Sequence, residues 1–160
     1  CKLQMMRLIA QPDLQRIGPA LCGGLSLIHY NSFKVADSLA QLRGYYEAEM
    51  EQYLDWGIHV MACQNEAGEI TIGDSHEYGN THDPFDKASI NQMIIDYLQK
   101  FTSFKDYTIT ESWNGVYPKL TNGDTELFFS PESGVYVLNG LGGAGMTLSF
   151  GLAEEVVAGL

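Results

Sequence analysis

Basic residues are scarce in this chain. Nine Lys+Arg stand against twenty Asp+Glu in 160 residues, a formal net charge of -11. Nucleic acid and anionic membranes both need a basic face, so neither is expected as the main partner. No run of about 18 apolar residues is present, so no membrane span is expected. The first residues lack the basic-then-apolar pattern of a secretory signal. Cys1, Cys22 and Cys63 are odd in number, widely spaced and without a CxxC. That excludes a disulfide framework or a zinc knuckle and suits a reducing, cytoplasmic compartment. Internal repeats, low-complexity segments and linkers are missing too. Charged residues reach only 18%, low for a free-standing soluble domain, whereas 45% hydrophobic residues suffice for a buried core. The length fits one domain. The chain opens on Cys1 directly into an apolar run and stops just after an apparent helix, Leu148 to Ala158. It reads as a piece cut from a longer protein.

The hydrophobic pattern predicts strands at Leu3 to Ile9 and Leu25 to Tyr30, separated by a loop from Gln11 to Pro19 in which Pro12 and Pro19 oppose helix. Val35 to Leu54 has apolar residues at 35, 36, 39, 42, 46, 50, 53 and 54, a helical period. Gly57 to Cys63 and Glu69 to Gly73 flank Asn65-Glu66-Ala67-Gly68 and predict a hairpin. Asp74 to Asp86 is a polar loop holding His76, Glu77, Tyr78, His82 and Asp83. A helix is expected over Ala88 to Phe101, and strands over Tyr107 to Trp113, Glu126 to Phe129 and Gly134 to Leu138. Hairpins with separated helices indicate an α+β fold with a mainly antiparallel sheet and flanking helices.

Gly140-Leu141-Gly142-Gly143-Ala144-Gly145 follows a strand and opens the last helix. It fits G-x-G-x-x-G in the context that a dinucleotide fingerprint demands. A P-loop is excluded, because Met146 stands where the phosphate-binding lysine belongs. Glycines let backbone approach a ligand, and a helix N-terminus offers N–H groups with partial positive charge. An electron-rich group is expected there.

Read with three further segments, this loop resembles the C-terminal portion of an FAD-dependent oxidoreductase of the D-amino-acid oxidase and glycine oxidase type. The segments are Gly57-Ile58-His59-Val60, Gly73-Asp74-Ser75-His76-Glu77-Tyr78-Gly79 and Trp113-Asn114-Gly115-Val116-Tyr117-Pro118, and the loop itself is matched from Val137 to Leu148. Within that superfamily the chain is most similar to a bacterial branch associated with phosphonate breakdown. The resemblance implies returning pieces of a split FAD domain at residues 1–9 and 113–160, around a substrate-binding domain at 10–112. The rest of the FAD site would lie in an N-terminal part of the same protein. It also implies that Gly140, Gly142, Gly143, Ala144, Gly145, Met146 and Thr147 face the N1–C2=O side of the flavin ring. There the N–H groups from Gly142 to Leu148 would stabilise negative charge on reduced flavin.

The implied reaction is oxidation of a small-molecule amine or amino-acid-like substrate, by hydride transfer from the carbon next to nitrogen to flavin N5. No side-chain base is assigned. Relatives of this type carry Trp-x-Gly-x-Arg-Pro, whose Arg grips a substrate carboxylate; here Tyr117 takes that place. An aminophosphonate or another amine is therefore an implied substrate. Its anion would need cations from Lys119, Arg7, His29 or His76. The implied substrate residues are His76, Trp113, Tyr117 and Lys119. His76, His82 and Asp83 lack a regular metal-binding scaffold, so no metal is expected. Two other readings stay open. One is a self-contained α+β binding module whose glycine loop is an anion nest. The other is a fragment preceding a dinucleotide-binding domain that starts at Gly140.

Overall fold

The computed structural model describes residues 1–12 and 15–160. Residues 13 and 14 of the expected Gln11–Pro19 loop lie outside the described residues. The chain forms two compact units, one of Lys2–Gly115 and one of Val116–Leu160 with Cys1.

The larger unit is built on a five-stranded antiparallel sheet in the order β2-β3-β4-β1-β5. Its strands are β1 (Lys2–Leu8), β2 (Leu21–Cys22), β3 (Met61–Gln64), β4 (Ile70–Gly73) and β5 (Ile109–Val116). The β3–β4 hairpin turns through Asn65–Gly68, as the sequence pattern predicts, with Gln64 opposite Ile70 and Met61 opposite Gly73. On its other edge β4 pairs with β1, Leu8 opposite Ile70 and Met5 opposite Gly73. Alternation along β1 sends Lys2, Gln4, Met6 and Leu8 inward.

Helix α4 (Ala88–Leu98) covers the sheet. Ile90, Ile94 and Leu98 recur every four residues and are fully buried. Each contributes roughly 1.5–3 kcal/mol of burial free energy. They meet Met6, Leu8, Ala62, Ile70 and Ile72 from the strands in one core.

Two expected elements differ. Leu25 to Tyr30 is not a strand but a short helix, α1 (Leu25–His29). A six-residue segment with apolar residues at 25, 27, 28 and 30 fits either period. The decisive contact is non-local: the Tyr97 hydroxyl accepts the Leu25 N–H at 2.8 Å and so supplies the first turn with an acceptor. The long helix over Val35 to Leu54 is broken into a 3-10 turn (Asn31–Val35), α2 (Leu39–Glu49) and α3 (Glu51–Asp55). The break falls at Met50, whose backbone leaves helical geometry while its side chain is buried.

The polar loop after β4 is laced to β1. Buried Lys2 donates from Nζ to the Asp83 carbonyl at 2.8 Å, and Gln4 donates to the Asn91 carboxamide at 2.8 Å. Gln4 Oε1 accepts the Lys87 N–H at 2.8 Å, and the Gln4 N–H reaches Ser75 Oγ at 3.2 Å. These bonds satisfy the polar groups that β1 carries into the core.

In the smaller unit β6 (Leu127–Glu132) and β7 (Val135–Asn139) form an antiparallel ladder. A 3-10 turn (Gly142–Ala144) then runs directly into α5 (Gly145–Ala158), making 17 helical residues. The helix thus begins six residues before the expected Leu148. It leaves Met146, Phe150 and Val157 largely exposed.

Candidate functional site

The glycine loop is short. Only Gly140 and Leu141 separate β7 from the helical stretch, and Gly140 and Gly142 adopt φ values of 82° and 57°. Those angles strain any residue with a Cβ. The Ala144 N–H donates to Leu141 O and the Gly145 N–H to Gly142 O. First-turn donors are the ones that a helix leaves unpaired, which here points to Gly142 and Gly143 rather than to the residues up to Leu148.

Tyr117 packs beside this turn: a Cβ placed on Gly142 would sit 3.7 Å from its ring, and one on Gly143 4.0 Å from its hydroxyl. Tyr117, Leu138, Asn139, Gly142, Gly145 and Met146 line a cleft of about 410 Å³ within this unit. Of the expected flavin and substrate residues, the structure brings Tyr117 together with this glycine turn. Thr147 and Lys119 are exposed in the same unit.

His76 and Trp113 belong to the larger unit. Trp113 lies on β5 with the Arg7 guanidinium 5.8 Å from its ring centroid, a cation–π contact. His76 is buried and meets His59 and His29. The ring centroids of His29 and His59 are 3.9 Å apart, those of His29 and His76 4.5 Å, and those of His59 and His76 5.2 Å. Tyr30 closes one side, edge-on to His59 at 5.2 Å.

Three elements deliver these rings: α1 carries His29, the chain entering β3 carries His59, and the chain leaving β4 carries Asp74 and His76. His59 and Asp74 exchange backbone hydrogen bonds of 3.2 and 3.0 Å. Their side chains meet as well, His59 Nε2 standing 3.1 Å from Asp74 Oδ1. Behind the rings, His59 Nδ1 is 3.4 Å from Ser26 Oγ and His76 Nδ1 is 3.3 Å from the Gly57 carbonyl. Gly57 must be glycine on two counts. Its φ is 54°, and a Cβ there would lie 2.8 Å from His76 Cβ. Burial pushes the Asp74 carboxyl up to about 7, against a smaller opposing pull from its backbone hydrogen bond. Tyr30 is also raised, by burial first and by Asp74 second.

Sequence reasoning named His76 and offered His29 as a cation, but gave His59 no role. The signal was weak. Continuing the hairpin register would set Val60 opposite Asp74, and a one-residue offset past Met61–Gly73 brings His59 there instead.

No curated protein and no solved structure matches the chain. Residues 22–158, most of both units, match the family described as FAD dependent oxidoreductase. The glycine turn, the antiparallel sheet and this match together place the chain in that family: it belongs to the FAD dependent oxidoreductases.

Proposed function

We propose that this chain provides the substrate-binding part, and the ring-facing turn of the flavin site, in an FAD-dependent enzyme that oxidises an amine or amino-acid-like substrate. An aminophosphonate is the substrate class we favour. The observation that carries the reading is the glycine turn, packed beside Tyr117 and opening a long helix in a chain of this family.

The residues present fit the ring side of FAD. Tyr117 packs on the Cβ-less side of Gly142 and Gly143, and a flat group would reach their backbone from the open cleft beside them. Their N–H groups, at the positive end of the helical stretch, suit an electron-rich carbonyl or a developing negative charge. When bound, FAD supplies the two-electron acceptor for the amine carbon. The turn orients the ring and stabilises charge on it. Gly140, Ala144, Gly145, Met146 and Thr147 complete the backbone path of that turn. The exposed apolar side chains of α5 support a further protein layer against it.

On the substrate side, Tyr117 stands where relatives carry a carboxylate-gripping Arg. One neutral phenol recognises a carboxylate poorly. That supports a substrate whose acidic group is met by other residues, with His76, Trp113 and Lys119 as the candidates. No side chain is assigned as a base; holding a neutral amine in line supplies much of the rate.

The test is anaerobic reduction of the native, flavin-loaded protein that carries this chain. An α-amino acid, an N-methylated amine and a 2-aminoalkylphosphonate are each added and the flavin absorbance followed. Bleaching by the aminophosphonate is the expected result. Bleaching only by the α-amino acid overturns the substrate class, and bleaching by none overturns amine oxidation.

A further inference from the structure

We propose that His29, His59 and His76, with Asp74 beside them, form a binding site for a divalent transition-metal ion of the zinc class. One ligand atom from each histidine lies within 4.8 Å of those of the other two. Two neighbouring ligands on a tetrahedral zinc ion stand roughly 3.3 Å apart, given bonds of about 2.0–2.1 Å. His59 Nε2 and Asp74 Oδ1 already have that relationship, at 3.1 Å. An ion at this point replaces the proton that would otherwise lie between them.

The contacts behind the rings agree with ligation. A carbonyl only accepts, so the His76 Nδ1 contact to Gly57 O at 3.3 Å is that of an N–H donor, with Asp74 Oδ1 3.8 Å from the same nitrogen, and ligation by this ring would fall to Nε2. His59 Nδ1 has Ser26 Oγ on its far side, a hydroxyl that accepts from Nδ1–H when Nε2 is the ligand atom. Metal-ligating histidines characteristically use their other nitrogen this way, which fixes the tautomer and the ring plane. Three imidazoles are a borderline donor set, suited to zinc or cobalt rather than to calcium or magnesium. The scaffold missing from the sequence is supplied by α1 and by the segments that enter β3 and leave β4.

The site shares His76 with the substrate candidates of the proposed function and has no residue of the glycine turn.

The experiment is titration of the EDTA-treated chain with Co2+, followed by visible absorption and calorimetry, then by Zn2+ displacement. One equivalent is expected to bind, with the d–d bands of a nitrogen- and oxygen-ligated ion. His29 is half-buried at the rim, so His29→Gln keeps the fold, checked by far-UV circular dichroism, and weakens binding more than about 100-fold. Ser26→Ala acts only through His59; it weakens binding roughly 10- to 100-fold and shifts the cobalt spectrum. A variant with Cys1, Cys22 and Cys63 changed to serine binds as before. The site is refuted by the absence of saturable Co2+ binding. Binding that survives His29→Gln and disappears with the cysteines refutes it equally.

Discussion

The Tyr97 hydroxyl on α4 accepts the Leu25 N–H that begins α1. Through this bond the core helix positions the segment that carries Ser26 and His29. Tyr97→Phe keeps the ring packing and strands a buried donor, at a cost of about 1–3 kcal/mol. Urea denaturation is expected to show a lower midpoint with an unchanged slope. An unchanged midpoint would mean that Leu25 has found another acceptor.

Gly57→Ala tests the support beneath His76. A left-handed φ costs a residue with a Cβ roughly 1–2 kcal/mol, and the collision with His76 adds to that. The thermal midpoint is expected to fall by several degrees. Gly134→Ala, also at positive φ but with open space around it, is the matched control and should show the backbone cost alone.

Stability should depend on pH through Asp74. Its folded carboxyl is raised to about 7 from an ordinary 3.8, so the native state holds a proton that the unfolded chain has released. The stabilisation is complete below the lower value and is lost as pH rises toward the higher one. The loss is on the order of 4 kcal/mol. The metal-free chain is therefore expected to resist urea better at about pH 5.5 than at about pH 7.5, and Asp74→Asn to flatten that slope. Stability rising across this window would contradict the assignment.

On the proposed reading, Tyr117→Arg in the native flavin-loaded protein is expected to add a bidentate grip on a substrate carboxylate. A charge-assisted pair contributes about 1.5–3 kcal/mol, so kcat/KM for an α-amino acid should rise roughly ten- to a hundredfold relative to an aminophosphonate. A parallel change for both substrates would place Tyr117 away from the acidic group.

Elements with a strong local signal were legible in the sequence. The Asn65–Gly68 hairpin and the four-residue spacing of Ile90, Ile94 and Leu98 led directly to β3, β4 and α4. Segments decided at a distance were not. Leu25 to His29 is helical because Tyr97, 72 residues on, provides an acceptor. The helix expected over Val35 to Leu54 breaks because Met50 turns into the core. The same distinction separates the glycine turn from the histidine cluster. Gly140–Gly145 is contiguous and announces itself. The histidines are 30 and 17 residues apart in the chain and meet only after α1, β3 and β4 have packed. A one-residue offset decides that it is His59 that faces Asp74.

The position of β1 in the sheet has a consequence for how the molecule is made. This first strand lies between β4 and β5, with partners some 65 and 100 residues further along the chain. On a ribosome it must wait unpaired while most of the larger unit is synthesised. Loop closure over such separations is slow. Lys2 and Gln4 cannot enter the core until the Asp83–Lys87 segment is there to receive them. Their polar heads keep the waiting strand soluble, and the same two residues later lock it in place. Replacing them with leucine would remove that safeguard during synthesis, so such variants are expected to be lost to aggregation before they reach the native state.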